Sequence, residues 1–159
     1  MQRPPDSNFK RPESVLVLIY SASQKVLLLK RKQPSVFWQS VTGSLKWPDE
    51  SPRCAAIREL QEETGITDVD GLKDWHRSHT FEIKPEWRSR YAPGVSDNLE
   101  HVFSLSIPAV VKIRFNTREH SDFIWLDFPA AIKKVWSWTN RAVLEEQYKL
   151  LDHCPERDE

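Results

Sequence analysis

Apolar positions in this chain come in short blocks, and the length and spacing of each block point to an element. Residues 15–20 (Val-Leu-Val-Leu-Ile-Tyr) and 26–29 (Val-Leu-Leu-Leu) are unbroken apolar runs bounded by polar positions. Runs that short, aliphatic throughout, read as strands buried on both faces. The polar interval 21–25 makes them a hairpin at the centre of a sheet. Residues 37–41, 75–83 and 100–107 read as further strands, and 110–115 and 123–126 as shorter ones. Residues 84–96 hold Pro85, Pro93 and Gly94 and read as a loop. Ser51 followed by Pro52 is a helix start, with serine as the N-cap and proline at the first helical position. Gly65 is a stop of the left-handed kind, so the spacing predicts a helix over 52–64. Residues 130–135 and 141–151 read as two more, with Val143, Leu144, Tyr148 and Leu151 at helical spacing. The chain divides into a Pro-rich arm over 1–13, one domain over 14–151 and a polar tail over 152–159. The mixed order of strands and helices predicts an α+β or mixed α/β sandwich.

Composition narrows the function. Lys and Arg number 23, and Asp and Glu number 23. A balanced charge disfavours a nucleic-acid or anionic-membrane binder, so neither is expected as a partner. The two cysteines, Cys54 and Cys154, form no framework and no metal-binding pair, which suits a reduced cytoplasmic protein. Cys54 is expected to be buried against the sheet. The opening residues have no apolar core and do not read as a signal peptide. No apolar stretch approaches the roughly 20 residues that span a bilayer. A monomer is the working expectation. Glycines number only 4, against about 11 at average usage, so each is read as placed for a reason.

The candidate chemistry lies on the helix over 52–64. Glu59, Glu62 and Glu63 are spaced i, i+3, i+4 and fall within an arc of roughly 100°. Like charges at that spacing repel. Arg58 offsets part of the repulsion by pairing with Glu62, and the rest calls for a cation. Oxygen ligands at this density suit Mg²⁺ or Mn²⁺ rather than zinc. Carboxylates on a solvated helix face are also commonplace, so the helix alone does not decide the matter.

The residues around it do. Arg58-Glu59-Leu60-Gln61-Glu62-Glu63-Thr64-Gly65-Ile66, with Glu50 upstream and Gly43 at the opening, resembles the signature box of the Nudix hydrolases. One departure is visible. Six residues separate Gly43 from Glu50 where that family has five, and Pro48-Asp49 stands in place of its second glycine. Either Glu50 or Asp49 fills the position of the family's first glutamate. Outside the box, Phe37 to Ser44, Lys10-Arg11-Pro12, Arg90 to Val95, Glu119-His120, Trp125-Leu126-Asp127 and Trp138 to Arg141 are similar to one subfamily, the bacterial dihydroneopterin triphosphate diphosphatases of folate synthesis.

The resemblance implies a Nudix fold, an α/β/α sandwich with a central mixed sheet. It implies Mg²⁺-dependent removal of pyrophosphate from a small-molecule triphosphate, with Mn²⁺ as a substitute metal. By resemblance, Glu59 and Glu63 are metal ligands and Glu62 is a further ligand or the base, so all three are catalytic candidates. The Gly43 carbonyl and Glu119 complete the metal set, with Glu100 as the rival to Glu119. Substrate contacts fall by resemblance on Lys10, Arg31, Thr42, Phe81, Glu82, Ile83, Lys84 and Ser137. Arg88 and Arg90 follow as phosphate clamps. Trp38, Trp136 and Trp138 are candidates to stack on a flat ring, and His79 and His120 to touch phosphate. A Nudix enzyme for another nucleotide, and a catalytically silent nucleotide-binding domain, are the alternatives.

Overall fold

The computed structural model describes residues 8–32 and 36–152. The first seven residues of the expected arm, and the tail from residue 153 with Cys154, lie outside them. Seven strands form one mixed sheet: β1 (Glu13–Ser21), β2 (Lys25–Arg31), β3 (Phe37–Gln39), β4 (Val41–Ser44), β5 (Leu72–Glu82), β6 (Asp97–Ile107) and β7 (His120–Asp127). The helices are α1 (Pro52–Thr64), α2 (Phe128–Lys134) and α3 (Trp138–Asp152). The sheet runs β3-β2-β1-β6-β5, with β4 pairing β1 and β7 pairing β2. β1 and β6 are parallel from Glu13↔Leu99 to Ser21↔Ile107, and the other pairings are antiparallel.

The period of two along β1 sorts its side chains into two cores. Val15, Val17 and Ile19 pack with Ala55, Ala56 and Leu60 of α1. Leu16 and Leu18 pack on the other face with Phe128 and Ala131 of α2 and Val143 and Leu144 of α3. Both faces of the central strands are therefore covered, which is why their sequence is continuously apolar rather than alternating. The expected layered α/β/α arrangement is what forms.

The signals at the ends of α1 act as read. The Ser51 hydroxyl accepts from the Cys54 N–H at 3.1 Å. Gly65 has φ 78° and donates to the Gln61 carbonyl at 3.0 Å.

Four expectations need correction. Residues 110–115 form no strand: Val110 and Val111 are exposed, Ile113 is buried in the core, and the half-buried Phe115 packs against it. The segment is a loop fastened to the end of α1 by Arg114 N–H donating to the Thr64 carbonyl at 3.1 Å. Cys54 is exposed, because the buried stripe of α1 runs through Ala55, Ala56, Glu59, Leu60 and Glu63, one position further along. The arm is not loose over residues 8–12. Lys10 N–H donates to the Arg90 carbonyl at 2.8 Å, and the Trp47 indole donates to the Phe9 carbonyl at 2.8 Å. Residues 84–96, read as a loop, contain a short 3₁₀ helix over Pro85–Arg90.

Candidate active site

The carboxylates of α1 do not share one solvated face. Glu59 is 8% exposed and Glu63 1%, both within the helix's buried stripe, while Glu62 is exposed. Burial and crowding set their charge. Burial, with Glu62 and Glu119 adding repulsion against the attraction of Arg58, pushes the Glu59 carboxyl up to about 7. Burial, then Glu119 and Glu59, pushes Glu63 up to about 8. His120 lies beside them: its Nδ1 is 3.0 Å from Glu63 Oε2, yet neither ring nitrogen makes an aligned hydrogen bond. Burial, then Arg31, lowers His120 to about 4, so the ring is neutral at pH 7.

Glu63, Glu119 and His120 each offer a ligand atom, and these atoms lie within 4.8 Å of one another. Two acids crowded with a neutral, unpartnered imidazole fit a divalent cation, which would take over the repulsion that now raises the carboxyls. Glu59, coupled to the same carboxylates, stands next to this set.

Gly43 on β4 sits directly beneath Glu59, and a Cβ there would overlap the Glu59 carboxylate. The overlap is with the end of a flexible side chain, so the fold tolerates alanine while the carboxylate must move. Gly43→Ala is accordingly expected to leave the melting temperature nearly unchanged and to lower kcat about 10²-fold, the scale set by a displacement of about 1 Å in a reacting geometry. Parallel melting and steady-state assays check this. A large loss of stability, or unchanged turnover, would contradict it.

Arg58 holds the cluster in place. Its guanidinium donates to Glu50 through Nε and Nη2 at 2.8 and 2.9 Å. It also reaches Glu59 and Glu62 at 3.1 Å and the Ser44 carbonyl at 2.9 Å. Glu50, not Asp49, therefore takes the place opposite Arg58. The lengthened loop over residues 44–50 closes on itself, with Lys46 N–H donating to Glu50 Oε1 at 2.8 Å.

Arg58, Glu59 and Glu62 open onto one cavity of about 1190 Å³, whose lining does not include the more deeply buried Glu63 and His120. Glu59, Glu62, Glu119, Gly43 and Thr42 line one part of it, with Lys10, Arg31 and Arg90. Burial, then Arg31 and Arg90, lowers the Lys10 ammonium below the ordinary lysine range. Cations packed this tightly mark a place for a polyanion. Phe81, Glu82, Ile83, Lys84, Ser137, Trp136 and Trp138 line the cavity as well.

Arg88 is not brought to the lining. Along a 3₁₀ turn it points away from Arg90, donating to the Ile83 carbonyl at 3.0 Å and pairing with Glu82 at 2.8 Å. Trp38 is likewise absent from the lining and packs with the core beneath α2 and α3. His79 is not among the lining residues either; its ring meets Trp138 edge-on with centroids 5.5 Å apart.

Several lining residues escaped the sequence reading. Trp87 joins Phe37 and Trp136 in an aromatic cluster, with ring centroids 4.6 to 5.9 Å apart. Asn98, Thr139 and Asn140 are buried polar side chains in the lining. Only the seven tryptophans hinted at the first group. Thr139 and Asn140 of α3 fell within the resembling segment Trp138 to Arg141 without a role of their own, and nothing local marked Asn98 of β6.

Comparison with known proteins agrees with this geometry. The NUDIX domain family matches residues 10–147. Dihydroneopterin triphosphate diphosphatase of Escherichia coli K12 is 44% identical over 145 residues, covering 89% of this chain and 95% of the relative. The Haemophilus influenzae protein of the same name is 35% identical over 142 residues, covering 87% and 88%. The solved structure of the E. coli dihydroneopterin triphosphate pyrophosphohydrolase superposes with a TM-score of 0.81 at 44% identity, covering 87% of this chain and 95% of that one. A Caenorhabditis elegans Ap4A hydrolase shares the fold at 22% identity, with a TM-score of 0.69 and coverage of 88% and 97%. The family match over residues 10–147 and the 44% identity to a relative covered over 95% of its length, in keeping with the carboxylate cluster held by Arg58, place the chain in the Nudix hydrolase family.

Proposed function

We propose that the protein hydrolyses dihydroneopterin triphosphate to dihydroneopterin monophosphate and pyrophosphate, with Mg²⁺ as its metal. The observation that carries this reading is the cavity that joins Glu59 and Glu62 of α1 and Glu119 to Lys10, Arg31 and Arg90. The likeness to relatives bearing that name supports the choice of substrate. Glu59, Glu63 and Glu119, with His120, are the groups that would hold the metal. A divalent ion there supplies charge neutralisation for the phosphates and an acidified water. Lys10, Arg31 and Arg90 bind and orient the polyphosphate, whose charge otherwise opposes displacement at phosphorus. Arg58 fixes Glu59 and Glu62. A silent nucleotide-binding domain has less support, because the altered loop still delivers Glu50 to Arg58.

The test is product analysis with purified protein, Mg²⁺ and dihydroneopterin triphosphate beside a panel of dNTPs. Pyrophosphate is expected fastest from the pterin, with loss of release on adding EDTA. A faster dNTP would keep the chemistry and replace the substrate. Ligand binding without turnover would overturn the enzymatic reading.

A further inference from the structure

The short segment ahead of β1 is fastened to three other parts of the chain. Phe9, Lys10 and Arg11 line the cavity together with Lys46, Trp47 and Pro48 of the lengthened loop. The Phe9 carbonyl accepts from the Trp47 indole at 2.8 Å. The Lys10 N–H donates to the Arg90 carbonyl at 2.8 Å, and the Pro12 carbonyl accepts from Leu99 N–H of β6 at 3.1 Å. Arg11 makes the widest set of contacts. Its Nη1 donates to the Lys46 and Glu50 carbonyls at 3.1 and 3.2 Å, and its Nη2 donates to Glu13 Oε1 at 2.9 Å. Its guanidinium lies 5.7 Å from the Trp47 ring centre. Glu50 is thus held twice, by Arg11 at its carbonyl and by Arg58 at its carboxylate.

These contacts turn Arg11 toward the loop. Lys10, its neighbour in sequence, is instead exposed in the cavity, with its ammonium 5.9 Å from the Tyr91 ring centre. Arg31 and Arg90 repel that ammonium, while Glu119 and Glu59 attract it. It therefore faces both the cationic part of the site and the metal carboxylates. A flexible lysine repelled by two guanidiniums is free to swing its charge into solvent. What keeps it at hand before a polyanion arrives is the place where its backbone is tied.

We propose that Arg11 and Trp47 are positioning residues that act through Lys10: by tying residues 8–12 to the loop over 44–50, they hold the Lys10 ammonium where it meets the phosphate chain of the substrate. This rests on Lys10 binding the polyphosphate, as proposed above. It gives the lengthened loop a second task beside delivering Glu50, and it makes residues 8–12 part of the binding machinery.

The experiment uses whichever triphosphate is cleaved fastest in the product analysis, with Mg²⁺. KM, kcat and the competitive inhibition constant of inorganic tripolyphosphate are measured for wild type, Trp47→Phe, Arg11→Lys and Lys10→Met. Each of the first two variants is also combined with Lys10→Met. Phenylalanine keeps an aromatic face and loses the donor to Phe9, and lysine keeps the charge and loses the fork. Both are expected to raise KM and the tripolyphosphate constant together by about five- to tenfold, while kcat changes by less than about threefold, the pattern of lost binding rather than lost chemistry. In the Lys10→Met background each is expected to shift KM by less than about twofold, because the residue they act through is gone. A general loosening of the fold, or direct contact of Arg11 with substrate, would act alike in both backgrounds, so equal shifts overturn the proposal. A KM within about twofold of wild type in any of the three single variants overturns it as well. A dNTP cleaved faster than the pterin would replace the proposed substrate and leave this result standing. Preference for the pterin, with KM shifts that simply add, would sink this proposal alone.

Discussion

Glu63→Gln should lower kcat for pyrophosphate release about 10³-fold at saturating substrate and Mg²⁺, corresponding to about 4 kcal/mol of lost transition-state stabilisation. The carboxylate is 1% exposed, lies 3.0 Å from His120, and belongs to the set with Glu119 that fits a cation. Glutamine keeps the shape and removes the charge. Stability should respond in the opposite sense from activity. Burial and the neighbouring carboxyls hold Glu63 largely protonated in the metal-free protein at pH 7, whereas the unfolded chain ionises it, so this group costs stability that glutamine does not. The metal-free variant is expected to melt at or above the wild-type temperature. The wild type should gain stability on adding Mg²⁺, through binding to the folded state alone, and the variant should gain far less. Melting curves with and without Mg²⁺, beside steady-state assays, check both halves. Turnover within about threefold of wild type would remove Glu63 from the site.

That pairing of low exposure with high charge was the part of the site hardest to read from sequence. The spacing of Glu59, Glu62 and Glu63 placed them on one arc, but an arc does not say which edge is buried. Packing decides it: Ala55, Ala56 and Leu60 face the sheet, and Glu59 and Glu63 follow them inward while Glu62 stays out. The ends of α1 were legible because Ser51, Pro52 and Gly65 act within a few residues of chain. β1 and β2 were legible because strands buried on both faces leave unbroken apolar runs. Residues 110–115 mimicked such a run and are a loop, anchored by Ile113 and the half-buried Phe115. The cavity wall away from α1 left only scattered local traces. Glu100 meets Thr139 only after β6 and α3 have packed together, and both residues line the cavity. Ordinary polar residues some forty positions apart carry no periodic signal. The motif segments were readable because their chemistry sits within one helix and the turn before it.

The second large effect is expected at Arg58, where fold and site depend on the same guanidinium. It satisfies Glu50 with two parallel bonds, pairs with Glu59 and Glu62, and ties the helix to the Ser44 carbonyl. Its hydrogen bonds hold the Glu50 carboxyl below the usual carboxylate range, so Glu50 remains charged at pH 7 and depends on its partner. Lysine in this place keeps the charge but cannot fork onto one carboxylate while reaching two others. Arg58→Lys is therefore expected to cost about 2–3 kcal/mol, below the range for fully buried pairs because both side chains keep some exposure. The melting temperature should fall by about 5–10 °C, and kcat about tenfold, as Glu59 loses the contact that orients it. A double-mutant cycle isolates the pair. If Glu50 is the partner, Glu50→Gln and Arg58→Lys should be strongly non-additive, whereas Asp49→Asn and Arg58→Lys should add independently. Coupling to Asp49 instead would mean that the lengthened loop sits differently in solution. The dependence on Glu50 shows why an extra residue between Gly43 and Glu50 is tolerable: the guanidinium fixes the position of one carboxylate, and the loop has only to deliver it.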